Sequence, residues 1–363
     1  MVTKARIGWV TFISVAALTL GHVSSASAQS PADLQPAPSA TPAEPTPLVP
    51  AEPVVKGENL IIEPSRLDPA SRRWFFAAGG TLLRRSRQSS AALVIDEDTL
   101  STLLTTDALS FDFEVGPYFN FGLWVTPTSA IEATYYGLNP WEADAVVTGD
   151  NNLSLPGDLA LATFDFFAAD VMSVSYDSDF NNVEVNYRWA PRPIVSFLVG
   201  VRYLDLRENL NINSFDIDTG TSDYRIDTYN HMVGGQIGAA VGPQVGRFSG
   251  ALVGKAGIFG NFAGQNSFVG DRDNQDVLRD AAVRSYGGAF VLEGGLEGAI
   301  QVSEAVSVQL GYHVVWLDRV ALAAEHIDFT DTATSGLFLN ERGDTYYHGA
   351  RAAVQVRWGR PRR

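Results

Sequence analysis

The chain contains no cysteine, and only three methionines and five histidines, in 363 residues. Without thiols it can form no disulfide, no thiolate metal site, no cysteine nucleophile and no lipoprotein acyl anchor. Basic residues are also scarce, with 26 Lys and Arg against 41 Asp and Glu and a formal charge of −15. A nucleic-acid surface needs cations to replace the counterions of the phosphate backbone, so this balance excludes nucleic acid as a partner. Beyond the N-terminus no stretch approaches 18 uninterrupted apolar residues, which leaves no candidate transmembrane helix. Glycine, by contrast, is abundant at 33 residues, and aromatics make up 11% of the chain. With 45% hydrophobic and 18% charged residues, the composition is that of a folded or membrane protein, with a lean toward β structure.

The first residues carry an export pattern. Lys4 and Arg6 precede an apolar run over 7–20, and a small-residue site at 25–28 places Ala26 and Ala28 where a signal peptidase reads them. The apolar run is shorter than the roughly 20 residues that span a bilayer. A cleaved signal peptide over residues 1–28 is therefore expected, and losing Lys4 and Arg6 takes the formal charge from −15 to −17. Residues 29–58 are dominated by Pro, Ala, Glu and Thr. Such a segment favours extended polyproline geometry with a reach of roughly 90 Å, and is expected to be a disordered periplasmic linker. Residues 59–363 remain for the folded domain.

Beyond residue 72 the pattern has period 2, which places successive side chains on opposite faces of a strand. Phe111, Phe113, Val115, Phe119, Phe121 and Leu123 share one face, with Asp112, Glu114, Gly116, Asn120 and Gly122 on the other. The split recurs at Val183, Val185, Tyr187 and Trp189, again at Val306, Val308, Leu310 and Tyr312, and again at Ala350, Ala352, Val354 and Val356. Such runs are expected at 73–84, 109–125, 129–138, 179–190, 194–207, 225–242, 246–260, 285–302, 305–318 and 345–358. Several match the roughly 9 to 11 residues a tilted strand needs to cross a bilayer. Tight joins near 126–128, 191–193, 243–245 and 303–304 alternate with long ones at about 85–108, 139–178, 208–224, 261–284 and 319–344. Short turns at one end and long loops at the other describe an all-β, transmembrane, up-and-down antiparallel barrel of about ten strands, with eight to twelve compatible. Trp74, Trp124, Trp189 and Trp358 fall at the short-turn ends of strands, and Trp141 and Trp316 at the long-loop ends, as two interfacial girdles would require. Trp74, Trp189, Trp316 and Trp358 are the expected membrane-interface aromatics.

The run from Gly200, Val201, Arg202 and Tyr203 to Glu208, then Gly234, Gly235, Gln236, Ile237 and Gly238, then Gly254, Lys255 and Ala256, resembles the outer-membrane β-barrel proteins of planctomycetes labelled BBP. Gly311, Tyr312 and His313 leading to Trp316, Leu317 and Asp318, with Tyr347, His348 and Gly349 opening the last strand, add to it, and the likeness covers roughly residues 180–358. It implies an exported barrel in the bacterial outer membrane, inserted by the barrel-assembly machinery, and supplies no substrate or catalytic residue. Barrels of this kind usually stop on the terminal aromatic, whereas here Gly359, Arg360, Pro361, Arg362 and Arg363 follow Trp358.

The polar parity of the strands places Glu114, Glu132, Glu184, Arg188, Arg202, Lys255, Glu293, Glu297, Arg351 and Arg357 in the lumen. Both signs are interspersed, so they read either as a cross-linked plug or as the lining of a narrow pore. Glu293 and Glu297 would favour cations there unless Lys255 and Arg202 neutralise them. The expected role is porin-like passive permeation of small solutes and ions, or an envelope-structural one. The alternative is a barrel-borne surface hydrolase, or a ligand- or ion-binding barrel with acidic extracellular loops. His231, His313, His326 and His348 lie near Asp227, Asp318 and Glu325, but no spacing defines a dyad. No nucleophile elbow, P-loop or metalloprotease motif occurs, so neither enzyme activity nor a cofactor is expected. Asp271, Asp273 and Gln275 have the first spacings of a calcium loop. Asp276 then replaces the required glycine, which excludes an EF-hand and leaves weak divalent binding by acidic loops.

Overall fold

The computed structural model describes residues 73–359, apart from 163 and 274. The signal peptide and linker assigned to 1–28 and 29–58, and the last four residues of the basic tail, lie outside the described residues. No described helix is long and apolar enough to cross a membrane, and the crossing is made by strands. They are β1 (Trp74–Arg85), β2 (Ala92–Asp96), β3 (Thr102–Thr105), β4 (Glu114–Thr126), β5 (Ser129–Gly137), β6 (Trp141–Ser154), β7 (Ala169–Arg192), β8 (Val195–Asp216), β9 (Gly220–Val241), β10 (Gln244–Val245), β11 (Phe248–Asp271), β12 (Asp276–Gln301), β13 (Val306–Val320) and β14 (Gly343–Trp358).

Ten of these strands close a ring in the order β1, β4, β5, β7, β8, β9, β11, β12, β13, β14, each antiparallel to the next. The seam is a register of twelve Cα pairs from Trp74↔Trp358 to Arg85↔Tyr347. Its backbones approach so closely at Gly79 that a Cβ there would stand 1.9 Å from the Ala352 carbonyl oxygen. A closed ring leaves no strand edge in hydrocarbon, where an unpaired backbone group costs several kcal/mol.

The structure corrects two of the expected long loops. β8 runs on to Asp216 and β9 begins at Gly220, while β11 runs to Asp271 and β12 begins at Asp276. Segments 208–224 and 261–284 are therefore tall strand pairs with tight turns, and β7 likewise begins at Ala169, inside the expected loop 139–178. The reason is an inversion of the two faces partway up the wall. On β8 Val199, Val201 and Tyr203 are exposed on the outside while Arg202 is buried inside. Above them Leu204, Leu206, Leu210 and Ile212 are buried inside, and Arg207, Asn209, Asn211 and Asn213 face out. On β7, Val183, Val185 and Tyr187 face out, whereas higher up Phe180, Tyr176, Val174 and Met172 are buried inside and Ser173, Ser175, Asp177 and Asp179 face out. Outer side chains are apolar where the wall meets acyl chains and polar where it meets water. The alternation changes phase at that level without any end of strand.

The tall part of the barrel is filled from above. β6 pairs with the upper half of β7, and β2 and β3 extend the sheet beyond it. Leu93, Val94, Leu109, Phe111, Leu153, Leu159 and Phe166 from these insertions join the inward residues of β7, β8 and β9 in one core. Trp141 belongs to it: fully buried, it donates from Nε1 to the Leu83 carbonyl oxygen at 3.1 Å and packs on Tyr347 with ring centroids 5.0 Å apart. The reading of Trp141 as an interfacial aromatic is therefore corrected, because the chain folds it inward.

The phase inversion leads to a direct expectation. Val185→Arg, on the acyl-facing level of β7, should cost about 2 to 4 kcal/mol and sharply lower the folded, heat-modifiable fraction on gels. Ser175→Arg, on the same outer face ten residues higher, should leave that fraction near wild type. Equal losses for the two would place the lipid boundary elsewhere.

Candidate functional site

The charged inward positions of the acyl-spanning level meet in one layer across the barrel. Arg202 of β8 is at its centre: Nη1 donates to Glu293 Oε2 at 2.9 Å, Nη2 to the Tyr136 hydroxyl at 2.7 Å, and Nε to Asn182 Oδ1 at 2.5 Å. Lys255 of β11 donates from Nζ to Glu184 Oε1 at 2.8 Å and stands 3.2 Å from Glu293 Oε1. Gln236 of β9 donates to Glu184 Oε2 and to Asn186 Oδ1, and Asn186 donates to Glu184 as well. The Arg202, Glu184 and Glu293 side chains are only 1%, 1% and 5% exposed.

A second tier faces the short-turn end. Arg188 Nη2 pairs with Glu132 Oε1 at 2.8 Å, and Arg351 Nη2 with Glu297 Oε1 at 2.6 Å. The Arg351 guanidinium also lies over the Tyr118 ring, 4.4 Å from its centroid. His313 joins the tiers, with Nε2 3.7 Å from Glu297 and Nδ1 4.0 Å from Glu293. Arg188 and Glu297 keep 41% and 37% of their side-chain surface, so water reaches one member of each pair here, whereas no charged side chain of the tier above keeps more than 13%. Below it Phe75 and Trp124 lean together with ring centroids 6.3 Å apart.

Eight of the ten charged residues assigned to the lumen thus converge: Glu132, Glu184, Glu293 and Glu297 with Arg188, Arg202, Lys255 and Arg351. Four carboxylates against four cations leave the layer formally neutral, so Glu293 and Glu297 supply no bare negative lining. Glu114 and Arg357 stand apart, half-buried at the long-loop end of β4 and near the short-turn end of β14, where Arg357 donates to Gln355. Tyr136, Gln236, Asn182, Asn186, His313 and Tyr118 complete the layer without having been assigned to the lumen from the sequence. Their inward parity was the available signal, because Asn182 and Asn186 flank Glu184 on the same face. Of the aromatics, Trp189 and Trp358 are exposed on the outer wall, Trp74 is half-buried, and Trp316 donates from Nε1 to Asp344 at 3.2 Å.

Above the layer a second buried cluster ties the upper core together. Arg85 Nη2 pairs with Glu208 Oε1 at 2.5 Å with both side chains essentially inaccessible, and the Tyr176 hydroxyl donates to Glu208 Oε2 at 2.6 Å. Glu208 also accepts from the backbone N–H of Ala323, at 2.9 Å, in the segment between β13 and β14.

The histidines are dispersed. His231 pairs on the outer wall with Asp205 at 2.8 Å, and His348 faces out against the Tyr312 hydroxyl at 2.7 Å. His313 lies in the charged layer, and His326 is buried in the β13–β14 segment. Of the acidic loop residues, Asp271 and Asp273 bring carboxylate oxygens within 4.8 Å of each other and of Asp165.

No curated protein matches the chain. Among solved structures it is similar to the outer membrane protease OmpT from Escherichia coli, at 10% identity and a TM-score of 0.46 over 79% of this chain and 97% of that one. It is also similar to the translocator domain of the autotransporter NalP from Neisseria meningitidis (10% identity, TM-score 0.38, covering 79% and 89%). A third likeness is to the toluene transporter TodX of P. putida (8% identity, TM-score 0.32, covering 79% and 90%). The family described as "Putative beta barrel porin-7 (BBP7)" matches residues 81–337. This match reaches about 100 residues further toward the N-terminus than the motifs that begin near residue 180, and it ends before β14. With most of its barrel matched, the chain belongs to the BBP7 family of outer-membrane β-barrels.

Proposed function

We propose that this protein is a porin-type barrel for passive movement of small ions and solutes that is closed at rest, with no catalytic role. The observation that carries this reading is the charged layer. Water-filled pores leave their charged side chains solvated, whereas Arg202, Glu184 and Glu293 here are buried and mutually paired across the lumen. Membership in a family described as porins supports permeation as the purpose of such a lumen. In this reading the chain is exported through a cleaved signal peptide and inserted by the barrel-assembly machinery. Its acidic loops, with Asp165, Asp271 and Asp273, bind divalent cations weakly.

Because the layer is neutral by pairing, single neutralisations should bias it in opposite directions. In planar bilayers the wild type should show long closed periods and small conductance. Glu293→Gln leaves Arg202 and Lys255 in excess and should shift permeability toward anions, while Arg202→Gln leaves the carboxylates in excess and should shift it toward cations. Shifts of the same sign for both would remove the layer from the conduction path, and complete silence of all three proteins would favour a purely structural barrel.

Stability should respond as well. Removing one partner of a buried, hydrogen-bonded pair is expected to cost about 3 to 5 kcal/mol. Glu293→Gln, which strands Arg202 and Lys255, should thus lower the urea midpoint of refolded barrel clearly, and Glu297→Gln, at a site that keeps 37% of its surface, less. Indistinguishable midpoints would show that burial does not grade the two tiers.

A further inference from the structure

The segment 321–342 between β13 and β14 folds down into the barrel mouth instead of standing above it. Ala321, Leu322, Ala323 and Ala324 are buried, and the segment includes a short 3-10 turn, Ala323–His326. Its entry is held by polar side chains from the wall. Asn230 of β9 donates to the Ala321 carbonyl oxygen and accepts from the Ala321 N–H, both at 2.8 Å, and Glu208 of β8 accepts from Ala323. Its far arm is held by Arg279 of β12, which donates to the carbonyl oxygens of Asp328 and Thr330, and by the Tyr224 hydroxyl, which accepts from the Asp328 N–H at 2.9 Å.

His326 fastens the two arms to each other. It is 5% exposed and both ring nitrogens are in use. Nδ1 is 2.7 Å from the Leu322 carbonyl oxygen, which can only accept, so Nδ1 carries the proton. Nε2 then accepts from the backbone N–H of Asn340 at 2.8 Å, across fourteen residues of chain. Only the neutral ring with its proton on Nδ1 satisfies both bonds. A second proton would sit on Nε2, facing the Asn340 N–H donor to donor, and would place a full charge in a site closed to water.

We propose that segment 321–342 is an acid-operated latch, in which protonation of His326 separates its two arms and frees it from the barrel mouth. The groups around the turn set the range. Glu325 on the same turn accepts from Asn340 Nδ2 at 2.9 Å, and the wall contributes Glu208 and Tyr176 from β8 and β7, Arg85 from β1, and Tyr347 and Asp344 from β14. β9 faces the segment with the uncharged Asn230 and with Tyr224. Burial holds the His326 ring below its ordinary value of 6.5, outweighing the Leu322 bond. A depressed imidazole supports docking fully above 6.5 and withdraws that support as pH falls below it. Glu325 has the opposite sign: burial, Asp344 and Glu208 raise its carboxyl above the ordinary value of 4.5, so its protonation favours docking and works against release as pH falls. Release therefore begins as pH falls below 6.5, with Glu325 opposing it wherever its carboxyl takes up a proton.

The absence of cysteine makes the test direct, because Ala333→Cys, at an exposed position of the segment, carries the only thiol for a spin label. In refolded full-length protein the label should be immobilised at pH 7.5 and several-fold more mobile at pH 5.5. The docked-to-free ratio falls by up to about tenfold per pH unit as the ring takes up its proton. His326→Gln keeps an acceptor for Asn340 but cannot take up the proton, so its label should stay fixed in both buffers. A wild-type label that is equally fixed at pH 5.5 overturns the latch. Should His326→Gln be mobile even at pH 7.5, the wild-type ring resonance that is missing from this variant decides: a titration midpoint below 6.5 supports the latch and one at or above 6.5 overturns it. The consequence for permeation rests on the function proposed above, but the label reports release without any current. Release in a protein that never conducts would keep the latch and remove the permeation reading.

Discussion

Closure of the β1–β14 seam is the constraint on which everything else depends. Hydrocarbon supplies no partner for a backbone N–H or carbonyl group, so an open sheet edge at bilayer depth would cost several kcal/mol per unpaired group. Pairing over the full length of β1, from Trp74↔Trp358 to Arg85↔Tyr347, removes the edge and fixes which face of each strand turns inward. Once the ring is closed, residues of one parity must share a narrow interior, and those of the other must meet the bilayer or the water above it. The charged layer, the apolar upper core and the outer apolar belt all follow from that sorting.

The interior is organised by how much water reaches each level. At the short-turn end Arg188 and Glu297 remain partly solvated, while their partners Glu132 and Arg351 are largely buried. One tier higher, Arg202, Glu184, Lys255 and Glu293 have exchanged hydration for one another, with Tyr136, Gln236, Asn182 and Asn186 filling the remaining bonds. Above that the lumen is no longer polar. Leu204, Leu206, Leu210 and Ile212 pack against residues carried in by β2, β3, β6 and the β13–β14 segment, and the Arg85–Glu208 pair is tied into this core through Tyr176 and Ala323. Barrel, plug and inward-folded segment therefore form one structure.

Much of the barrel was legible as sequence. Alternating apolar and polar residues around Phe119, Val185, Val201, Leu310 and Val354 mark strands, and the strand count, their antiparallel order and the end carrying the short turns follow from these runs and the turns between them. The same parity identified all eight charged residues of the layer. The upper halves of β7, β8, β11 and β12 were not legible, because a search for one apolar face stops where that face becomes polar, between Tyr203 and Arg207 on β8 and between Val183 and Asp179 on β7. Trp141 was misread for a related reason: its position between strands suggested an interfacial ring, and nothing local shows that β6 folds it beneath Leu83.

By itself, then, the sequence determined the period-2 pattern, the sign and parity of each inward charge, the absence of any thiol, and the absence beyond the N-terminus of an apolar run long enough for a transmembrane helix. These are properties of single strands and need no knowledge of neighbours. Tertiary structure alone decided that Arg202 meets Glu293 from 91 residues away, that Lys255 holds both Glu184 and Glu293, and that His326 bridges Leu322 to Asn340 inside the mouth. Parity states which side of the wall a residue faces, whereas the partner opposite it depends on the register of every intervening strand around the closed ring. One residue of slip in any pair would exchange its faces and move each charge to a different height.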